Sequence, residues 1–193
     1  MKGILILLAL VLSSAAQAEG FLSWRESDLF PRQSLVRQDF LDRLQAYGID
    51  VRHSADCVKP GWMAKYNRQT NQLCMNPDHF DRYDEMLTHE AVHVLQDCLA
   101  PGGIQSTEAV TIIASLRGSG MPMSRGHRSG LDGVTIRQFR QSVQQELAKT
   151  DHRQFIKEKY RRYHYDAEAE AYALESYPEL VYAMLGWCEG GKK

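Results

Sequence analysis

Two imidazoles flank a carboxylate at His89, Glu90 and His93, within the five residues HEAVH. Residues four apart lie one above the other on a helix face, so both imidazoles can reach one metal ion while Glu90 stands beside it as a candidate general base. This HExxH spacing needs a helix, and one is expected from Asp84 to Leu99. Met86, Leu87, Ala91, Val94, Leu95 and Cys98 supply an apolar stripe, and no Gly or Pro occurs between Asp84 and Ala100. The plain alternative is a buried helix whose histidines happen to lie four apart. On a half-apolar face, such an unligated pair would have to find other polar partners.

A catalytic zinc needs a third protein ligand and an open position for water. An HExxHxxGxxH site would take that ligand from the same strip, but Gln96 stands at the glycine position and Leu99 at the histidine position, which excludes the metzincin pattern. A carboxylate on a later helix remains. The stretch from Tyr160 to Tyr177, YRRYHYDAEAEAYALESY, offers Asp166, Glu168 and Glu170. A solvated acidic face is the alternative for it.

With THEAVH and EAEAYAL the chain resembles the gluzincin type of zinc metallopeptidase, in which HExxH is completed by a glutamate from a downstream helix. The resemblance covers the metal site and not the remainder of the chain. It implies a Zn2+-dependent hydrolase of peptide bonds, with His89 and His93 as ligands and Glu90 as the base that takes a proton from the zinc-bound water. Helical periodicity then ranks the acids. With Tyr160, Tyr163, Ala167, Ala171 and Leu174 on the buried stripe, Glu170 lies next to that stripe and is the first choice as third ligand. Glu168, on the opposite flank, is second, and Asp166 is a candidate to orient a ligating histidine through its other ring nitrogen. Donors for the oxyanion are available at His152, His164, Tyr163, Tyr165 and Tyr172, and spacing does not choose among them.

These groups must be positioned by the surrounding elements. Ser34 opens a helical run carrying Leu35, Phe40, Leu41, Leu44 and Tyr47, which Gly48 stops. The residues from Ile49 to Cys57 read as a short strand and turn. WMAKY and QLCM, separated by the turn-rich NRQTN, read as a hairpin. In HExxH zinc peptidases a strand just before that helix commonly forms the edge to which a substrate adds itself, and the run from Leu73 to Asn76 is in the right place for it; an ordinary hairpin held by a disulfide is the equal alternative. Ser106 or Thr107 can cap a helix with Val110, Ile112, Ile113 and Leu116. Residues 118–133 form a long irregular segment, a candidate lid, in which His127 reads as a solvated loop histidine. A helix follows from Thr135 to about Lys149. A last one, capped by Ser176 with Pro178 in its first turn, carries Leu180, Val181, Met184, Leu185 and Trp187.

At the start of the chain, Lys2, the apolar run from Ile4 to Leu12 and the sequence Ala16, Gln17, Ala18 read as a signal peptide, residues 1–18, cleaved after Ala18. The run is too short for a membrane span. An exported, periplasmic protein without stable membrane insertion is expected. A formal charge of −1 gives no reason to expect nucleic acid. The four cysteines then read as two disulfides, for which three connectivities are open; the preferred one joins Cys57 with Cys74 across a short segment and Cys98 with Cys188. Buried free thiols are the alternative, and no C-x-x-C spacing of a structural zinc site is present. The expected fold class is α+β: residues 19–193 as a mostly helical, zincin-like single domain with a small antiparallel sheet. The expected function is an exported zinc peptidase acting on a peptide or protein substrate. A non-catalytic zinc-binding periplasmic protein that holds a partner is the alternative.

Overall fold

The protein's computed structural model describes residues 37–100, 102–104, 111–112, 136–160 and 162–190, all within the unit Ser34–Lys193. In chain order the elements are α1 (Arg37–Ala46), β1 (Asp50–His53), β2 (Ala64–Asn67), β3 (Gln72–Met75), α2 (Tyr83–Cys98), α3 (Ile136–Ala148), α4 (His152–Lys159), α5 (Arg162–Leu174) and α6 (Pro178–Leu185). The class is α+β, as expected. The signal peptide, the segment from Ser106 to Val110 and the candidate lid 118–133 with His127 lie outside the described residues.

The metal helix forms where its sequence dictates. Asp84 and Glu85 sit in its first turn, where the helix dipole favours negative charge. Ala91, Val92, Val94 and Leu95 are completely buried. They pack against β2 and β3 on one side and against α5 and α6 on the other.

The sheet differs from the expected antiparallel one. Its order is β1-β3-β2, with β2 antiparallel to β3 and β1 parallel to it. The hairpin is present, and its turn is closed by Asn67, whose Oδ1 accepts the Gln69 amide, and by Asn71 at φ +51°. Parallel pairing of β1 with β3 requires the chain to cross the end of β3 before β2 begins. Three ties hold that crossing: the Ser54 amide on the Met75 carbonyl, the Asn76 amide on the Met63 carbonyl, and the Cys57–Cys74 disulfide. The consequence is a correction for substrate binding. The run from Leu73 to Met75 is the centre of the sheet, and the edge nearest the metal helix is β2.

A second correction concerns the last helices. The run read as continuous from Tyr160 is broken there, because Tyr160 is extended and closes α4, and α5 begins at Arg162. Likewise Tyr177, not Ser176, holds the N-cap position of α6, without a side-chain cap. α5 packs against α2, α3, α4 and α6. α1 is fastened to α6 by the Tyr47 hydroxyl on the Leu185 carbonyl and by Arg43 on the Tyr182 carbonyl.

Both expected disulfides are present, each with Cα atoms 5.7 Å apart. They belong to a protein of an oxidising, non-cytoplasmic compartment. Among the described residues no helix is long and apolar enough to cross a membrane. Cys98–Cys188 joins the last residue of α2 to a position 90 residues later. Cys188→Ser should therefore cost about 2–5 kcal/mol of stability by constraining the unfolded chain less. Denaturant unfolding checks this, and a loss no larger than that of an exposed surface substitution would contradict it.

Candidate metal centre

His89 and His93 project from one face of α2 toward α5, as their spacing demands. The carboxylate that meets them belongs to Glu168. Its Oε2 lies 3.5 Å from His89 Nε2 and its Oε1 3.7 Å from His93 Nε2. One atom from each of these three residues lies within 4.8 Å of the others. That is the spacing of ligands around one ion, and the group could hold a metal. The preference for Glu170 is thereby corrected. Glu170 is 1% exposed and turned away, its Oε2 accepting from Gln96 Nε2 at 3.0 Å and from the Ile112 amide at 2.7 Å. Asp166 is exposed and orients neither histidine.

The orienting contacts come from elsewhere. His89 Nδ1 meets Glu175 Oε2 at 3.1 Å, and His93 Nδ1 meets Gln96 Oε1 at 2.8 Å. The Gln96 amide nitrogen is fixed in turn by the Ala167 carbonyl and by Glu170. Each imidazole thus has its Nδ1 engaged and its Nε2 directed at Glu168, the arrangement that fixes tautomer and ring direction in metal sites. Neither Glu175 nor Gln96 was among the expected site residues. Glu175 stands seven residues after Glu168 and so on the same helical face, and Gln96 stands three after His93 on the histidine face.

Glu90, which is buried, accepts the Tyr66 amide on its Oε2 at 2.6 Å. The bond follows from the sheet register. The Asn76 amide on the Met63 carbonyl makes 63–76 a hydrogen-bonded pair, so residues 64 and 66 of β2 turn their amides and carbonyls outward. Tyr66 spends its amide on Glu90. The Ala64 amide and carbonyl and the Tyr66 carbonyl lie along the free edge.

The site lines a cleft of about 760 Å³ between β2 and helices α2, α4 and α5. Of the expected oxyanion donors, His152, His164 and Tyr172 line it. Tyr172 packs edge-on against His89 with ring centroids 4.5 Å apart, and His152 packs on Tyr172 at 4.7 Å with its Nδ1 4.0 Å from Glu175. Tyr165 is not among the lining residues, and the Tyr163 side chain lies outside the described ones.

The electrostatics ask for a cation. Burial lowers the His89 pKa, but Glu168, Glu175 and Glu90 outweigh it and raise the imidazole to about 10. Burial raises the Glu168 carboxyl, yet the two histidines draw it below the usual carboxylate range. Burial and the Glu168 charge also push Tyr172 up to about 12, so its hydroxyl stays protonated. Glu168 Oε2 is buried without a hydrogen-bond partner. A carboxylate with this unpaired oxygen near His89 Nε2 and its other oxygen near His93 Nε2 could serve with them as ligands of a metal ion.

Two outcomes follow. In the metal-free protein, His89 is held above its ordinary 6.5, so its contribution to stability is full below pH 6.5 and is lost as pH rises through about 10. Chelated protein should be more stable at pH 6 than at pH 9.5 on this account, which pH-dependent denaturant unfolding of parent and His89→Gln protein reads as a difference larger in the parent. Second, Glu168→Gln should weaken metal binding more than Glu170→Gln does, and Gln96→Ala should weaken it about 10- to 100-fold through His93. Competition with a chromogenic chelator measures all three, and an equal or greater loss in Glu170→Gln would refute the assignment. No family model, curated protein or solved structure matches the chain.

Proposed function

We propose that the protein is an exported zinc metallopeptidase of the periplasm, with Zn2+ held by His89, His93 and Glu168 and with Glu90 as general base. The observation that carries this reading is the convergence of three ligand atoms within 4.8 Å in a cleft that also contains Glu90 and a sheet edge. A metal-storage or structural site needs neither a carboxylate at the position of Glu90 nor an open cleft.

The chain's residues divide the work. An extended peptide adds itself to β2 through the Ala64 amide and carbonyl and the Tyr66 carbonyl, which lays its backbone across the cleft. Zinc, when bound, supplies a Lewis acid that polarises a carbonyl and makes water acidic enough to ionise near neutrality. One oxygen of Glu90 is held by the Tyr66 amide, which orients the carboxylate and leaves its other oxygen to accept the proton of the attacking water. The same carboxylate returns that proton to the leaving amine. His152 and Tyr172, beside His89, are the donors available to the developing oxyanion. Glu175 and Gln96 keep the imidazoles in place throughout.

Glu90→Gln removes the proton acceptor while keeping volume and both histidines. It should retain about one zinc per chain and lose cleavage of a mixed peptide library by about 10²-fold or more. Metal analysis and mass-spectrometric detection of cleaved peptides check the two halves separately. Zinc binding with no cleavage by the parent itself would transfer the site to a non-catalytic, partner-holding role.

A further inference from the structure

The mouth of the cleft carries a group of residues that the proposed peptide chemistry does not use. Phe155 on α4 is 40% exposed, the exposed large hydrophobic side chain among the described residues. Its ring lies 5.9 Å from that of Tyr172, which in turn touches His89, so an aromatic path leads from the metal centre to the rim. There Lys159 extends its ammonium over three rings: 4.9 Å from Phe155, 5.6 Å from Trp62 and 5.8 Å from Tyr160. Trp62 comes from the segment leading into β2, whereas Phe155 and Tyr160 belong to α4 and its end. Lys59, which is not itself among the residues lining the cleft, approaches the same Trp62 ring at 5.5 Å.

Two ammonium groups therefore converge on one indole, and among the described residues neither has a carboxylate within 4.0 Å. Lys65, which also lines the cleft, likewise has no carboxylate within 4.0 Å among the described residues, whereas two cations nearby are paired. Arg82 is paired with Glu85 at 2.8 Å and Lys149 with Glu146. Asp151, the acid of the cleft that belongs to α4, stands at the opposite end of that helix, about 12 Å along its axis. The faces of Trp62, Phe155 and Tyr160 favour positive charge beside them, which suits the ammonium groups at this rim.

We propose that Lys159 and Lys59, with Trp62, Phe155 and Tyr160, form a substrate subsite that accepts a carboxylate beside an apolar side chain lying on Phe155. This deepens the peptidase reading and rests on it. The carboxylate is either an acidic side chain or the C-terminus of a peptide, since both present the same group to the ammoniums. A neutral or basic segment at that position gains nothing from the lysines and loses their hydration.

Binding is tested apart from cleavage, with zinc-loaded Glu90→Gln protein and three fluorescein-labelled hexapeptides of otherwise identical sequence containing phenylalanine. The first has glutamate after the phenylalanine and an amidated end, the second has glutamine there and an amidated end, and the third has glutamine there and a free carboxyl terminus. Fluorescence anisotropy should show the first, the third or both binding about three- to fivefold tighter than the second. Which one does so identifies the source of the carboxylate. The preference should shrink as salt is raised. It should vanish in Lys159→Gln combined with Lys59→Gln, and reverse toward a lysine-containing peptide in Lys159→Glu. Both sites are exposed, so folding is expected to survive, and retained zinc verifies it. In the parent, the lysine substitutions should raise KM for a cleaved acidic peptide with kcat little changed.

Equal affinities for the three peptides, a preference that survives the lysine substitutions, or no binding of any peptide up to about 1 mM would overturn the subsite. Cleavage by the parent without a carboxylate preference would overturn it while leaving the peptidase intact. A carboxylate preference in binding, with no cleavage by the parent, would leave the subsite standing and remove the peptidase.

Discussion

Four glutamates lie buried or half-buried between α2 and α5, and the structure around them is arranged by the need to satisfy each one. Glu170 takes the Gln96 side chain and the Ile112 amide, Glu175 takes His89, and Glu90 takes the Tyr66 amide. Glu168 is left with one buried oxygen unpaired and two imidazole nitrogens in front of it. Burying this much like charge between two helices is costly unless a cation joins it. Protonation of His89 supplies one positive charge, and a metal ion, which the group His89, His93 and Glu168 could hold, would supply more where their ligand atoms converge.

The rest of the molecule keeps α2 where that convergence holds. Its apolar flank is clamped by the sheet and by α6, and its last residue is bonded covalently to Cys188. The sheet serves the site twice. Its β2 edge fixes Glu90 through one backbone amide, and the same edge leaves the Ala64 peptide groups open on the cleft. The Cys57–Cys74 bridge holds the strand crossing that makes β2, and not β3, the free edge.

Much of this is legible in local sequence. HEAVH on an uninterrupted apolar period specifies the helix of the histidines, the turn residues from Asn67 to Asn71 specify the hairpin, and an even cysteine count suggests two disulfides without choosing among their three connectivities. What local sequence leaves open is set by long-range packing. Glu170 outranks Glu168 only if α5 has a single buried stripe running through Tyr160. The helix in fact starts after Tyr160 and is surrounded by four others, so acids on both flanks are buried, each against a different neighbour. The parallel pairing of β1 is likewise invisible to a reading strand by strand, because no hairpin turn announces it. Gln96 and Glu175 do carry a sequence signal, their spacing from His93 and Glu168, but only once the helix faces that meet are known.

The most direct test of the centre is crystallographic: crystals of the protein loaded with zinc, with anomalous difference data collected above and below the zinc absorption edge. The account predicts a single strong peak about 2.0–2.2 Å from His89 Nε2, His93 Nε2 and a Glu168 oxygen, with Glu170 still bonded to Gln96. A peak ligated by Glu170 in place of Glu168, or no peak between the two histidines at saturating zinc, would contradict it.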